Sequence, residues 1–154
     1  FLQRDLAAGL ITTEDAAFMF KNLVIKLNEI GYYFGEKVAL QNSADLGQSI
    51  TLGGYDENGE HSHAEMDYVI LDACNYLHLP QPPLTFCYSS KSPGKLVEKV
   101  LDVISTGTGM PQIVSAEAMM KRALYNWPES KGGKLTLEKA RRTCIGACVG
   151  SYIP

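Results

Sequence analysis

Cys144 and Cys148, four positions apart near the end of the chain, are the residues best placed by type and spacing to do chemistry. A C-x3-C pair supplies two soft metal ligands, but a structural zinc site needs four. The other pair of ligand type, His61-x-His63, is far away in sequence. A C-x3-C-x2-C run would suggest the iron–sulfur cluster of a radical S-adenosylmethionine enzyme, but its last position here is Ser151. The expectation is therefore no metal. Cys148 reads instead as a candidate reactive thiol. Gly146, Ala147 and Gly150 around it let the backbone turn tightly and approach a ligand. It also follows a helix and falls in a loop, where functional residues concentrate.

Other candidates are weaker. Cys74 and Cys87 fall on an apolar helix face and in an apolar strand, as small buried hydrophobes do. His61, His63 and Glu65 could form a general acid/base group. They could equally be an exposed, hydrated helix start, and that reading is preferred. Gly107-x-Gly109 has no phosphate-binding Lys after it, and Gly53-Gly54 lacks the dinucleotide-binding spacing, so both read as turns.

The elements that must position these residues follow from periodicity. Residues 12–31 predict an amphipathic helix, capped by Thr12 or Thr13 and stopped at Gly31. Tyr32, Tyr33 and Phe34 open a less regular stretch. Ser49 to Leu52 predicts a strand running into Gly53-Gly54. A second helix is expected over about 63–78, with Met66, Val69, Ile70, Ala73, Cys74 and Leu77 on one face. The prolines at 80, 82 and 83 forbid its continuation. Leu84 to Tyr88 reads as a strand buried on both faces. Ser92-Pro93 predicts the next helix start, with Ser as the cap, and Gly107 and Gly109 its end. Gln112 to Val114 predicts a strand. Ser115 caps a helix to about Tyr125, which Trp127-Pro128 breaks. A last helix is expected from near Thr136 to near Thr143. Alternating strands and helices predict an α/β fold with parallel strands.

Composition narrows the class. The chain has 154 residues, 45 % apolar and 20 % charged, which is globular. Its net charge of -3 argues against nucleic acid, because phosphate binding needs clustered Lys and Arg. The densest basic group, Lys139, Arg141 and Arg142 beside Glu138, reads as a solvated helix face. No apolar run reaches membrane-spanning length. Four cysteines are too few for a disulfide scaffold, which suits a reduced, cytoplasmic setting. The chain opens on Phe1 rather than Met, which predicts a piece cut from something longer.

Five segments, in order, resemble the glycyl radical enzyme family of the pyruvate formate-lyase type. Gly9 to Ala16, followed by Ile25-Lys26-Leu27-Asn28-Glu29-Ile30, is similar to its "KLNE" helix. Gln48 to Gly54, with Asp56 and Gly59, is similar to its "LGG" segment. Leu79 to Thr85 resembles its "QPxL" strand entry, and Gly107 to Pro111 its "G-x-G-x-P" turn. Ala147-Cys148-Val149 resembles its "GCV" or "CCV" cysteine loop. The resemblance implies a portion of a ten-stranded α/β barrel, with residues 1–154 a partial domain and the C-terminal glycyl radical domain outside it. It implies that Cys148 carries a thiyl radical. No cofactor is expected in this chain; the glycyl radical would lie elsewhere in the full enzyme or on another chain, since the "R-V-x-G-Y" motif is not in this sequence. The implied partners are a radical S-adenosylmethionine activating enzyme and a small-molecule substrate. Neither nucleic acid nor membrane is expected, and the open edges of a partial barrel predict either self-association into a homo-oligomer or a rearranged set of strands.

The resemblance also has departures. Dehydratase and eliminase branches carry Glu two residues after the cysteine and Arg on the strand after "QPxL"; this chain has Gly150 and Cys87. The pyruvate formate-lyase branch pairs two adjacent cysteines; the first position here is Ala147. The implied reaction is a radical lyase cleaving a carbon–carbon bond of a small organic acid, working anaerobically, with the chain alone inactive. The alternatives are the dehydratase branch and a non-catalytic structural or interaction module.

Overall fold

The computed structural model describes residues 2–29, 49–62, 64–127, 133–146 and 150–152, with backbone alone at 64, 144–146 and 150–152. The expected stop at Gly31, the Tyr32 to Phe34 stretch, His63, Pro128 and Cys148 lie outside them. Helix α1 (Leu2–Ala7) comes first and is followed by α2 (Thr13–Glu29). Thr12 caps α2: its Oγ1 accepts from the Asp15 backbone N–H at 3.1 Å, and Asp15 Oδ2 accepts from the Thr12 N–H at 2.9 Å. This reciprocal pair satisfies two otherwise orphaned donors, and the carboxylate favours the positive end of the helix.

Strand β1 (Ile50–Gly53), helix α3 (Ala64–Leu77) and strand β2 (Leu84–Tyr88) form the next unit. Helix α4 (Gly94–Val103), a π-type turn over Ile104–Thr108 and strand β3 (Gln112–Ser115) complete a second crossover. The sheet order is β1-β2-β3, all parallel, with Leu52 opposite Phe86 and Phe86 opposite Ile113. The expected α/β arrangement is thus present. β2 is central, and its first four residues are buried, which explains its unbroken apolar run. Leu52, Leu71, Leu84, Phe86, Leu96 and Val100 form the heart of the core, where α3 and α4 pack on the sheet. Burial of such side chains is the main stabilising term here, about 1.5–3 kcal/mol each.

Ser115 caps α5 (Ala116–Asn126), accepting from the Ala118 N–H at 3.2 Å. Thr136 caps α6 (Leu137–Arg141) in the same way, through the Lys139 N–H at 3.3 Å. The start of α4 differs from expectation. Its cap is Pro93, not Ser92, and no side chain closes it. The Ser92 hydroxyl is engaged elsewhere, accepting from the Ser89 N–H at 3.0 Å. The chain then forms an antiparallel pair, β4 (Cys144–Gly146) with β5 (Gly150–Tyr152), and β4 lies against β1. Among the described residues no helix is long and apolar enough to cross a membrane.

Candidate functional site

The polar residues gather where the parallel strands end. Both Gly53, which ends β1, and Gly54 have positive φ, at 69° and 85°. The Gly54 N–H donates to the Cys87 carbonyl at 2.8 Å, so the chain turns tightly against β2. A Cβ on Gly53 would stand 2.8 Å from the Cys87 carbonyl oxygen and 2.9 Å from the Phe86 ring. Only glycine permits that approach.

Asp67 sits one turn before Ile70 and Leu71 on the buried side of α3, and its side chain is 5 % exposed. Its Oδ2 accepts from the Gly53 N–H at 3.1 Å and lies 3.2 Å from His61 Nε2. His61 is correspondingly buried, at 6 % exposure, so the expected hydrated helix start is corrected here. The reason is pairing: a carboxylate on an apolar helix face must find donors, and His61 is one of them. Donation from Nε2 leaves Nδ1 facing the Ser92 hydroxyl at 3.5 Å. Ser89, fully buried, accepts from the Lys91 N–H at 3.3 Å and lies 3.4 Å from Ser92 Oγ. The Asp67, His61 and Ser92 chain thus ties β1, α3 and the 89–92 turn together. Glu65, one residue into α3, is exposed and takes no part.

A second cluster fixes the same end from the other side. The Tyr55 hydroxyl donates to Glu117 Oε1 at 2.6 Å, and the Ser90 N–H donates to the same oxygen at 2.9 Å. The Tyr55 hydrogen bond, above all, holds the Glu117 carboxyl at about 2, below its ordinary 4.5. A lowered carboxyl pKa means stability that is present above the ordinary value and lost as pH falls from about 4.5 toward 2. Because Glu117 is only half-buried, the contribution is under about 1 kcal/mol. In the natural polypeptide, Glu117→Gln should flatten the fall in Tm between pH 5 and pH 2. An identical acid slope in both proteins would remove this role.

A cleft of about 500 Å³ lies beside this end, lined by Thr51, Gly54, Tyr55, Asp56, Arg141 and Arg142 among others. Its charges are mixed rather than basic. Arg141 donates from Nη1 to the Glu57 carbonyl at 3.0 Å. Cys74 is partly buried against the core, and burial pushes its thiol up to about 11, which leaves it protonated and unreactive. Cys87 is buried within β2. Both therefore fit the reading as small hydrophobes.

Cys144 opens β4. Gly146 pairs with Gly150, and Cys148 falls among the three residues that join them, outside the described residues. The site residue chosen from sequence is thus bracketed by two strands whose backbone is described. Sequence reading missed Asp67, Tyr55 and Glu117, and it placed Arg141 on a solvated helix face, whereas Arg141 is half-buried and bonds the Glu57 carbonyl. Asp67 alone carried a signal: a carboxylate at helical spacing from Ile70 and Leu71 needs a buried partner.

Comparison with known proteins gives this arrangement its context. Indoleacetate decarboxylase of Tractidigestivibacter scatoligenes is 27 % identical over 150 residues, covering 97 % of this chain and 17 % of that protein. Trans-4-hydroxy-L-proline dehydratase of Clostridioides difficile is 26 % identical, over 97 % of this chain and 18 % of its own length. A glycyl radical enzyme from Archaeoglobus fulgidus superposes with a TM-score of 0.83 at 26 % identity, over 99 % of this chain and 19 % of that one. The chain therefore spans under a fifth of the relatives it matches, and its parallel sheet and crossover helices are part of their α/β barrel. A family model described as "Pyruvate formate lyase-like" matches residues 1–154, from α1 through both strands that flank Cys148, so the chain belongs to the pyruvate formate lyase-like family of glycyl radical enzymes.

Proposed function

We propose that this chain supplies the cysteine segment of a glycyl radical lyase that cleaves a carbon–carbon bond of a small organic acid, with Cys148 as the thiyl site. The observation that carries the reading is the antiparallel β4/β5 pair, which brackets Cys148 between Gly146 and Gly150. Neither glycine has a side chain to obstruct a second loop or a substrate approaching the turn.

The family's glycyl radical supplies hydrogen-atom abstraction. Cys148 would give up its Sγ hydrogen atom, and the resulting thiyl would take a hydrogen atom from the substrate or add to it. In the abstraction case the thiol is restored, and the unpaired electron moves to substrate carbon. In the full barrel, closure around the cysteine would favour this chemistry by excluding water and side reactions. A decarboxylase among the relatives supports cleavage next to a carboxylate. The reading implies a radical S-adenosylmethionine activating enzyme as partner and an anaerobic cytoplasm as setting.

A second reading, dehydration, is favoured by the dehydratase relative. It must do without a Glu two residues after the cysteine, since that position is Gly150. The test is anaerobic activation of the longest natural polypeptide carrying this sequence, followed by product analysis with arylacetates and with hydroxylated small acids. Carbon dioxide release supports the first reading. Loss of water without carbon dioxide moves the assignment to the second.

A further inference from the structure

A further cavity, of about 420 Å³, lies on the outer side of β1, between the start of α1 and the first turns of α3. Its place follows from the parallel pairing. The Ile50 and Gly54 N–H groups both donate toward β2, to the Pro83 and Cys87 carbonyls. Alternation along the strand turns the Gly53 N–H the other way, off the edge of the sheet. Asp67 meets it there: its Oδ2 accepts from the Gly53 N–H at 3.1 Å and lies 3.2 Å from His61 Nε2. Both bonds fall on one oxygen. Among the described residues Oδ1 takes no hydrogen bond, although the Asp67 side chain is only 5 % exposed and lines the cavity. A carboxylate oxygen so shielded from water is short of a donor, and a ligand in the cavity can supply one.

The rest of the lining selects the ligand. Leu52, Met66 and Ile70 give the cavity an apolar wall, and the exposed Glu65 adds a second carboxylate. None of the described residues that line it is basic. Two carboxylates without a cation repel an organic acid and attract an ammonium group, and the apolar wall suits a short hydrocarbon body behind it. We infer that this cavity binds a small primary amine, whose ammonium donates to Asp67 Oδ1 while its hydrocarbon part packs on Leu52, Met66 and Ile70. The site is independent of the lyase reading, because it uses no residue of the cysteine hairpin.

The test is calorimetric titration of the longest natural polypeptide at pH 7 with three probes of one shape: benzylamine, benzyl alcohol and benzoate. Benzylamine should bind. Benzyl alcohol should bind about tenfold more weakly, the loss of one charge-assisted hydrogen bond, and benzoate should not bind measurably. Asp67→Asn should weaken benzylamine by about tenfold and benzyl alcohol by less, because the lost charge matters only to the cation. Glu65→Gln should weaken benzylamine by only about two- to threefold, since an exposed charge is screened. Gln3→Trp places a bulky side chain on the α1 wall and should abolish binding of all three. If Asp67→Asn fails to fold, Glu65→Gln and Gln3→Trp carry the test, because both positions are exposed and outside the core. An absence of benzylamine binding to the wild-type polypeptide would overturn the inference, and would mean that another part of the chain fills the cavity. Benzoate binding as tightly as benzylamine would overturn it too. So would unchanged benzylamine affinity in Asp67→Asn or in Gln3→Trp.

Discussion

Replacing Cys148 with Ala in the longest natural polypeptide should lower turnover by about 10⁴-fold or more, the scale seen when the reacting group of an enzyme is removed. The reason is bond strength. A thiol S–H gives up its hydrogen atom to a carbon radical, and the resulting thiyl can reclaim one from an activated substrate C–H. The methyl C–H of alanine is too strong to take part in either exchange. Cys148→Ser should fail equally, because the hydroxyl O–H is stronger still. The fold should survive both changes, since the core that α3, α4 and the sheet share is built by Leu52, Leu71, Leu84, Phe86, Leu96 and Val100, which neither change touches. Glycyl radical formation should therefore persist, and electron paramagnetic resonance of the activated variant would show the radical signal without product. Product formed at more than a trace would place the thiyl elsewhere. Cys144 would then be the next residue to test, because Cys74 is held protonated and Cys87 is buried within β2.

The fold was largely legible because its signals are local. The helical period from Ala16 to Leu27, the apolar run at Leu84 to Tyr88 and the capping residues Thr12, Ser115 and Thr136 each report on a few neighbours in sequence. One cap was misplaced by a residue, and the cause was not local: Ser92 Oγ faces Ser89 and His61 rather than the helix. Helix α1 carried too short a pattern to be seen. The candidate site was less legible for the same reason. Tyr55 meets Glu117 across 62 positions, and Arg141 meets Glu57 across 84. Periodicity gives no information at such separations. The glycines at 53 and 54 were read as a turn, and they do turn the chain; their closeness to the Cys87 carbonyl becomes visible only when β1 and β2 are paired.

The buried Asp67 and His61 pair yields the largest expected effect on stability. Asp67→Ala should cost about 3–5 kcal/mol, because breaking a buried pair leaves the remaining partners unsatisfied. Two donors lose their acceptor at once: the Gly53 N–H, which cannot move because β1 is registered against β2, and His61 Nε2, which is shielded from water. Asp67→Asn should cost less, about 1–3 kcal/mol, since its carbonyl oxygen can still accept from Gly53. His61→Ala removes one donor and leaves the carboxylate bonded to Gly53, so it should fall between wild type and Asp67→Ala. The double variant should be no worse than Asp67→Ala alone. That non-additivity is the signature of direct coupling, with an interaction energy of about 1–3 kcal/mol. Denaturant unfolding of the four proteins in the natural polypeptide measures it through the shift in midpoint at constant m-value. Additive losses would mean that the two side chains act separately. In that case the 54–62 turn would be fixed chiefly by Gly54, Tyr55 and the Arg141 contact to Glu57, and the site's inner anchor would be backbone rather than the buried pair.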